Sequence, residues 1–123
     1  MSIYSGIGRQ TVILTRTSPS PLSPSDRIDL DDRLVLEVAE LFNVLGDASR
    51  VKILSALWSG PQSVNVLAEI AGITPSAVSH HLRSLRQLRL VRPHKRGRQV
   101  FYSLDDQHVA ELLQRVIEHV KHG

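Results

Sequence analysis

The sequence contains no cysteine among its 123 residues. Disulfide bonds, thiolate metal sites and thiol-based redox sensing all require that side chain, so these classes of function are excluded. Any bound metal ion must be held by nitrogen and oxygen ligands. Aromatic residues are also scarce, at 4% of the chain. The core must therefore consist mainly of leucine, valine, isoleucine and alanine, which favours a helical protein over a β-sandwich or barrel.

Long apolar runs are missing as well. No segment approaches the ~20 consecutive apolar residues that a membrane-spanning helix requires, and residues 1–14 lack the basic start and apolar run of a secretion signal. We therefore expect a cytoplasmic protein with no membrane partner. The hydrophobic content of 41% suits a single domain with one small core.

Acidic residues are absent between Glu69 and Asp105, although the formal net charge of the whole chain is only +3. A basic run is usually a solvated face, but it also creates a positive potential suited to phosphate groups. Because the run coincides with the pattern of elements described below, we favour phosphate binding. The seven basic residues of this segment are Arg83, Arg86, Arg89, Arg92, Lys95, Arg96 and Arg98.

The composition of the chain changes near residue 32. Residues 1–32 contain a serine and proline cluster at 18–25 and scattered aspartates, with no helical or strand period. This composition predicts a flexible N-terminal arm, although contacts of Arg9 and Arg16 with a second subunit or a nucleic acid stay open as an alternative. Residues 33–123 show regular apolar periods and are predicted to form one folded domain.

Apolar residues at helical spacing predict four successive helices in the first half of this domain. A glycine ends each of the first three helices, at Gly46, Gly60 and Gly72. Thr74 and Pro75 then supply an N-cap and a proline at the first position of the fourth helix. The third and fourth helices are joined by a short turn that contains a glycine. This is the signature of a helix-turn-helix, although an ordinary helical hairpin would show the same spacing.

A β-hairpin and a fifth helix are predicted to follow. Residues 93–98 are basic and contain a glycine, and residues 99–104 alternate polar and apolar side chains as a half-buried strand does. A last helix is predicted from about Asp105 to His122, with an apolar stripe that has no other surface to bury against in so short a chain. We therefore expect a mainly α fold with a small β-hairpin, a homodimeric winged helix-turn-helix.

The outer face of the fourth helix suits the major groove of DNA, because a recognition helix needs small polar side chains near its start and basic ones behind them. Ser76, Ser79 and His80 are predicted to contact bases, and Arg83 to contact phosphate. The basic wing would contact phosphates or the minor groove. His80 and His81 diverge by about 100° and cannot share one metal ion. The candidate DNA-binding residues are Ser76, Ser79, His80, His81, Arg83, Lys95, Arg96 and Arg98.

Four candidate metal ligands lie at the two ends of the last helix: Asp106 and His108 at its start, His119 and His122 at its end. Eleven residues separate His108 from His119, which puts both on one face but ~16 Å apart. Two antiparallel copies of the helix would bring the start of one beside the end of the other, creating two equivalent sites per twofold dimer. Three imidazoles and one carboxylate suit tetrahedral zinc, with cobalt as a substitute.

Asp106 fits this site only if the helix begins after it. In a regular helix Asp106 would point away from His108, whereas Asp105 would lie nearer to it. We therefore predict that Asp106 lies at or before the N-cap. Simple capping by the aspartates, and favourable placement of the terminal histidines in the helix dipole, stay open as alternatives.

Residues 33–122 resemble the ArsR/SmtB family of winged-helix metal-sensing repressors. The segments that carry the resemblance are LGDASRVKIL at 45–54, SAVSHHLRSL at 76–85, GRQVFYSL at 97–104 and DQHV at 106–109. The resemblance implies a homodimeric transcriptional repressor that binds operator DNA when metal-free and releases it when a metal binds.

The resemblance also implies which metal is sensed. Family members that sense zinc or cobalt through the last helix have an Asp-x-His pair at its start and a His-x-x-His or His-x-x-Glu pair at its end, as this chain does at 106–108 and 119–122. The resemblance further implies that His119 reaches a backbone carbonyl around Arg89, in the link between the fourth helix and the wing. Other members sense thiophilic metals through cysteines where this chain has Ser-Val-Asn-Val at 63–66, which disfavours lead, cadmium and arsenic.

Two alternatives remain. A member of this family could respond to nickel, or to a signal other than a metal, but nickel-sensing relatives recruit additional terminal histidines and no histidine precedes His80. From a different class, a metal-dependent hydrolase would need a metal-activated water. No candidate base lies near the four ligands in the sequence, and a fourth protein ligand would close the site.

Overall fold

A computed structural model describes residues 30–123, so most of the predicted arm over residues 1–32 lies outside the described part. Within residues 30–123, five helices and a small antiparallel sheet confirm the predicted fold class. None of the helices in this part of the chain is long and apolar enough to cross a membrane. The elements are α1 (Asp32–Leu45), α2 (Ala48–Trp58), β1 (Gln62–Ser63), α3 (Val64–Ala71), α4 (Pro75–Gln87), β2 (Val91–Arg96), β3 (Gln99–Leu104) and α5 (Gln107–His122).

Local signals determine the turn between α3 and α4. Gly72 ends α3 in the left-handed conformation, with φ of 71°, which glycine adopts without steric cost. The Oγ1 atom of Thr74 accepts a hydrogen bond from the backbone N–H of Ala77 at 3.1 Å, and Pro75 is the first residue of α4. The two helices are thus joined by the short turn that the sequence predicts for a helix-turn-helix.

The core lies between α2, α3, α4 and the start of β2. Burying one large aliphatic side chain contributes about 1.5–3 kcal/mol, and Val78, Leu82 and Leu85 of α4 are all buried. Because these three residues are buried, the opposite face of α4 is turned towards solvent. The other buried hydrophobic residues of this cluster are Ile53, Leu54, Leu57, Leu67, Ala68, Ala71, Leu90 and Val91.

The sheet has the order β1-β3-β2, with all neighbours antiparallel. The β2–β3 hairpin pairs Val91 with Leu104 at its base and Arg96 with Gln99 at its tip, and Gly97 makes the tight turn with φ of 64°. This hairpin is the predicted wing. Strand β1 was not predicted, because a strand of two residues is too short to show a period of two.

The apolar stripe of α5 is buried against its own chain in one part and exposed in the other. Val109 and Leu113 pack against the core of their own chain, and Leu113 lines a cavity of about 220 Å³ beside Trp58 of α2. Val116 and Val120 instead remain 47% and 71% exposed. The expectation that the whole stripe lacks a surface within its own chain was therefore wrong for its inner part, because α2 covers that part.

Helix α1 also exposes apolar side chains. It has no buried residue, and Leu36 and Phe42 are 70% and 55% exposed. Large exposed apolar patches are characteristic of an interaction surface rather than of a solvated one. Helices α1 and α5 thus both present apolar surface that the described chain does not cover.

Asp47 caps α2, and its removal is expected to destabilise the domain. Its Oδ1 atom accepts a hydrogen bond from the backbone N–H of Arg50 at 3.0 Å, and this bond is the main reason that the pKa of Asp47 lies below 3.8. Asp47→Ala should lower the free energy of unfolding by about 1 kcal/mol, whereas Asp47→Asn should retain most of it because asparagine is an equally good N-cap.

Urea denaturation at fixed protein concentration measures this difference. A lowered pKa means that the charged form of Asp47 stabilises the fold above pH 3.8 and that this contribution is lost as the pH falls further. The difference in the free energy of unfolding between the wild-type protein and Asp47→Ala should therefore become smaller in acid. Equal stability of the two proteins at pH 7 would contradict the assigned cap.

Candidate functional site

The outer face of α4 carries polar side chains from its first turn onward. Ser76, Ser79, His80 and Arg83 are all exposed. They lie opposite the buried stripe of the same helix, as the helical wheel predicts. Packing of the stripe therefore holds these four residues on one outward surface, with hydroxyl and imidazole groups near the start of the helix and a guanidinium group behind them.

His81 is placed differently from the other DNA-binding candidates. It is only partly exposed, and its Nδ1 atom accepts a hydrogen bond from Nε of Arg50 on α2 at 3.0 Å. Its ring is thus hydrogen-bonded to α2, while it also lies edge-on to the ring of His80 with 6.0 Å between the centroids. Sequence periodicity did not reveal the partner, because Arg50 lies 31 residues away in the chain.

The wing presents its three basic candidates around the hairpin turn. Lys95, Arg96 and Arg98 are exposed, and the guanidinium carbon of Arg96 lies 5.5 Å from the ring centroid of Phe101 on the neighbouring strand. A cation over an aromatic face at this distance is attracted to it. Phe101 thereby limits the directions in which Arg96 can point, while its charge stays available at the surface.

The two candidate metal ligands at the start of α5 lie together. Asp106 is the N-cap of the helix, with extended φ and ψ of −127° and 111°, as the sequence predicts. Its Oδ1 atom accepts a hydrogen bond from the backbone N–H of Val109 at 3.0 Å and lies 3.5 Å from Nδ1 of His108. The carboxylate and the imidazole therefore already occupy one small region, as two ligands of one ion must.

The other two candidates lie in the last turn of the same helix. His119 and His122 are exposed, and the helical rise puts His119 ~16 Å from His108 along the axis. Within residues 30–123 of one chain, no three His, Cys, Asp or Glu side chains come together in a group that could hold a metal ion. The structure thus brings Asp106 and His108 together and leaves His119 and His122 apart from them.

Arg89 marks the joint between α4 and the wing. It has φ of 60°, an uncommon conformation for a residue other than glycine. Directly after it, the backbone oxygen of Leu90 accepts a hydrogen bond from the N–H of Asp105 at 2.9 Å, and Oδ1 of Asp105 lies 3.8 Å from Nε of Arg92. The joint is therefore connected to the residue that precedes the candidate ligand Asp106. The sequence indicated Asp105 only as an alternative ligand.

Comparison with known proteins identifies the family. Residues 47–92 match the family model of bacterial regulatory proteins of the arsR family. The HTH-type transcriptional regulator NmtR of Mycobacterium tuberculosis is 46% identical over 93 residues, which cover 76% of this chain and 78% of that protein. The chain belongs to the ArsR/SmtB family of metal-sensing transcriptional repressors. The hydrolase alternative is excluded, because these relatives are transcriptional regulators and not enzymes.

Other comparisons place this ArsR/SmtB protein among the same regulators. The transcriptional repressor SmtB homolog of Synechocystis is 44% identical over 85 residues, covering 69% of this chain and 64% of that protein. The solution structure of apo-NmtR matches with a TM-score of 0.65 at 41% identity, covering 89% of this chain and 87% of that one. A homodimeric winged helix-turn-helix DNA-binding domain from Mycobacterium bovis matches with a TM-score of 0.68 at 25% identity, covering 77% and 88% of the two chains.

Proposed function

We propose that this chain is a homodimeric repressor that binds operator DNA in its metal-free form and releases the DNA when zinc or cobalt binds. The observation that carries the DNA-binding part is the outward polar face of α4 beside the basic wing. The experiment that tests the whole proposal is a gel shift on the DNA upstream of the gene, with and without zinc. Because its proposed target is operator DNA, we propose that the protein acts in the cytoplasm.

The proposed dimer uses the apolar faces of α1 and α5. Both helices expose large apolar side chains, including Phe42 and Val120, and the neighbour from Mycobacterium bovis is a homodimer. A twofold axis would place the same patch of both chains in contact. Two α4 helices held in this way can enter successive major grooves, whose centres are about 34 Å apart.

The proposed DNA contacts divide into two classes. Ser76, Ser79 and His80 lie on the N-terminal half of α4, which in a recognition helix faces base edges, so these residues would select the sequence. Arg83 and the wing cations would bind phosphates, which gives affinity without sequence preference. His81 would help to hold α4 against α2, because its Nδ1 atom accepts a hydrogen bond from Arg50.

The two classes should separate in mutational tests. Arg96→Ala is expected to weaken binding to all sequences and to reduce the slope of log affinity against log salt by about 1, because one phosphate contact is lost. Ser79→Ala and His80→Ala should mainly relax sequence preference. Fluorescence anisotropy over a salt series, with a selected and a scrambled duplex, measures both effects. An Arg96→Ala variant that changes sequence preference at an unchanged salt slope would contradict the wing assignment.

The proposed metal ligands are Asp106, His108, His119 and His122. Three imidazoles and one carboxylate match the donors and coordination number of zinc, and the closeness of Asp106 and His108 supports their action as a pair. His119 and His122 would be supplied by the second chain, because ~16 Å of helix separates the two ends of α5 within one chain. The bound ion would supply a crosslink between subunits, favouring one dimer shape over another.

Nickel is the second candidate signal. The same nitrogen and oxygen donors bind nickel, so the ligand set alone does not decide between the metals. The cobalt-substituted protein distinguishes them by geometry. A closed four-ligand site gives tetrahedral cobalt with intense visible absorption, whereas a nickel-type site with more ligands does not.

A further inference from the structure

Arg50 connects three helices of the domain through its guanidinium group. Its Nε atom donates to Nδ1 of His81 on α4 at 3.0 Å, and its Nη1 atom donates to the backbone oxygen of Val44 on α1 at 3.3 Å. Its Nη2 atom lies 3.5 Å from Oγ of Ser84, one turn further along α4. A single side chain of α2 thus contacts both the end of α1 and the middle of α4.

Each of these contacts uses a specific property of its partner. Val44 lies in the last turn of α1, where backbone carbonyls have no partner within the helix. A guanidinium N–H is always a donor, so Nδ1 of His81 is the acceptor in this contact. Asp47 caps the helix start at the backbone N–H of Arg50, which holds the base of the arginine side chain in place.

Helix α1 is packed only loosely against the core, so its orientation depends on hydrogen bonds such as those of Arg50. Helix α1 has no buried residue, and only partly buried residues near its end, Leu41, Val44 and Leu45, pack against the core. Helix α4 is instead fixed by a fully buried stripe. A rigid, fork-shaped hydrogen-bond donor between the two helices restricts their mutual angle more than sliding aliphatic contacts do.

We propose that Arg50 is a positioning residue that fixes the angle between the dimer-forming helix α1 and the DNA-reading helix α4, and so determines which spacing of operator half-sites the dimer accepts. This inference rests on the proposed function as a dimeric repressor. The guanidinium group acts through Val44 and His81 and has no assigned contact with DNA. Loss of Arg50 should therefore reduce the discrimination between half-site spacings more than it reduces binding to DNA in general.

The test uses a palindromic duplex that the wild-type protein selects from a random pool, and the same duplex with one base pair inserted between its half-sites. One inserted base pair rotates one half-site by about 35° relative to the other. The measured quantity is the ratio of the two affinities in the metal-free dimer. Arg50→Gln should lower this ratio about tenfold, the order of effect expected when a charge-assisted hydrogen bond is removed.

Matched variants separate positioning from charge and from folding. Lys52→Gln removes one positive charge from the exposed side of the same helix and should leave the ratio unchanged. His81→Asn places an acceptor oxygen where Nδ1 stands and should keep the ratio within about threefold of wild type, whereas His81→Leu removes the acceptor and should behave like Arg50→Gln. The two His81 variants decide the question if Arg50→Gln fails to fold by circular dichroism.

The outcomes distinguish this inference from the function on which it rests. If the wild-type protein selects no duplex, the proposed repressor function is wrong. If it selects a duplex and discriminates spacing, an unchanged ratio in folded Arg50→Gln, or in His81→Leu, overturns the positioning role. A ratio lowered equally by Lys52→Gln also overturns it, because the effect would then come from net charge.

Discussion

Replacing Val116 with glutamate is expected to convert the dimer into monomers and to abolish operator-specific binding. Val116 is 47% exposed on the face of α5 that does not pack against its own chain. A twofold interface places the same patch of both chains in contact, so each introduced carboxylate would be buried without a cationic partner. Burying an ionised group without a partner costs several kcal/mol, which opposes association of the two chains.

Sedimentation and DNA binding measure the two consequences. A monomer contacts one half-site, so its affinity for the operator should fall by about three orders of magnitude, towards its non-specific value. Glu118→Lys is the control, because it changes a charge about 160° around the helix from Val116 and should leave the dimer intact. A Val116→Glu protein that still sediments as a dimer would show that α5 is not the interface.

Most helix boundaries could be predicted because local residues determine them, although α5 begins at Gln107 and not at about Asp105. Gly72 and Thr74 set the turn between α3 and α4 through their own backbone and side-chain geometry. Ser63 caps α3 by accepting from the N–H of Val66 at 3.3 Å, another contact within one turn. These interactions span four residues or fewer, so the sequence displays both partners at a recognisable spacing.

The surroundings of individual side chains could not be predicted in the same way. The contact of Arg50 with His81 joins residues 31 apart, and no periodic pattern marks it. The wheel of α5 likewise shows one stripe, and only the position of α2 decides that Leu113 faces its own chain while Val116 does not. Sequence therefore predicted the site's elements and most of its outward residues, but not that His81, unlike His80, is hydrogen-bonded to Arg50 of α2.

Metal binding is expected at two equivalent sites per dimer. Cobalt titrated into the protein should develop the intense visible bands of tetrahedral coordination, with an end point of one ion per chain. His119→Ala should abolish these bands. Its affinity for cobalt should fall by more than the roughly 10–100-fold that is lost when a hydrogen-bond partner of a ligand is removed. A spectrum unchanged in this variant would remove His119 from the site.

The two aspartates at the start of α5 can be separated by amide substitution. Asp106→Asn retains an N-cap acceptor for the N–H of Val109 but loses the carboxylate, so it should keep the stability of the helix and weaken metal binding. Asp105→Asn keeps the backbone hydrogen bond to Leu90 and should bind the metal normally. The reverse result would identify Asp105 as the carboxylate ligand.

Release of the operator requires that the metal bind one dimer shape more tightly than the other, because a ligand shifts an equilibrium only by its differential affinity. Couplings of this kind typically change affinity by about 5–150-fold. We expect zinc to lower the affinity for the operator by a factor in this range. The His119→Ala protein should not bind the metal, so zinc should leave its operator affinity unchanged. Two connections are candidates for the route from α5 to the recognition helix: the hydrogen bond from His119 to a carbonyl around Arg89 that the family resemblance implies, and the backbone bond from Asp105 to Leu90.

A His119 methylated at its non-ligating ring nitrogen distinguishes these two routes. It can still bind zinc but cannot donate a hydrogen bond to a carbonyl around Arg89, the link that the family resemblance implies. If that link carries the coupling, the methylated protein should bind zinc and remain on the operator. Zinc-driven release that persists would instead favour the backbone bond from Asp105 to Leu90 at 2.9 Å, because this bond joins the residue beside Asp106 directly to the base of the wing.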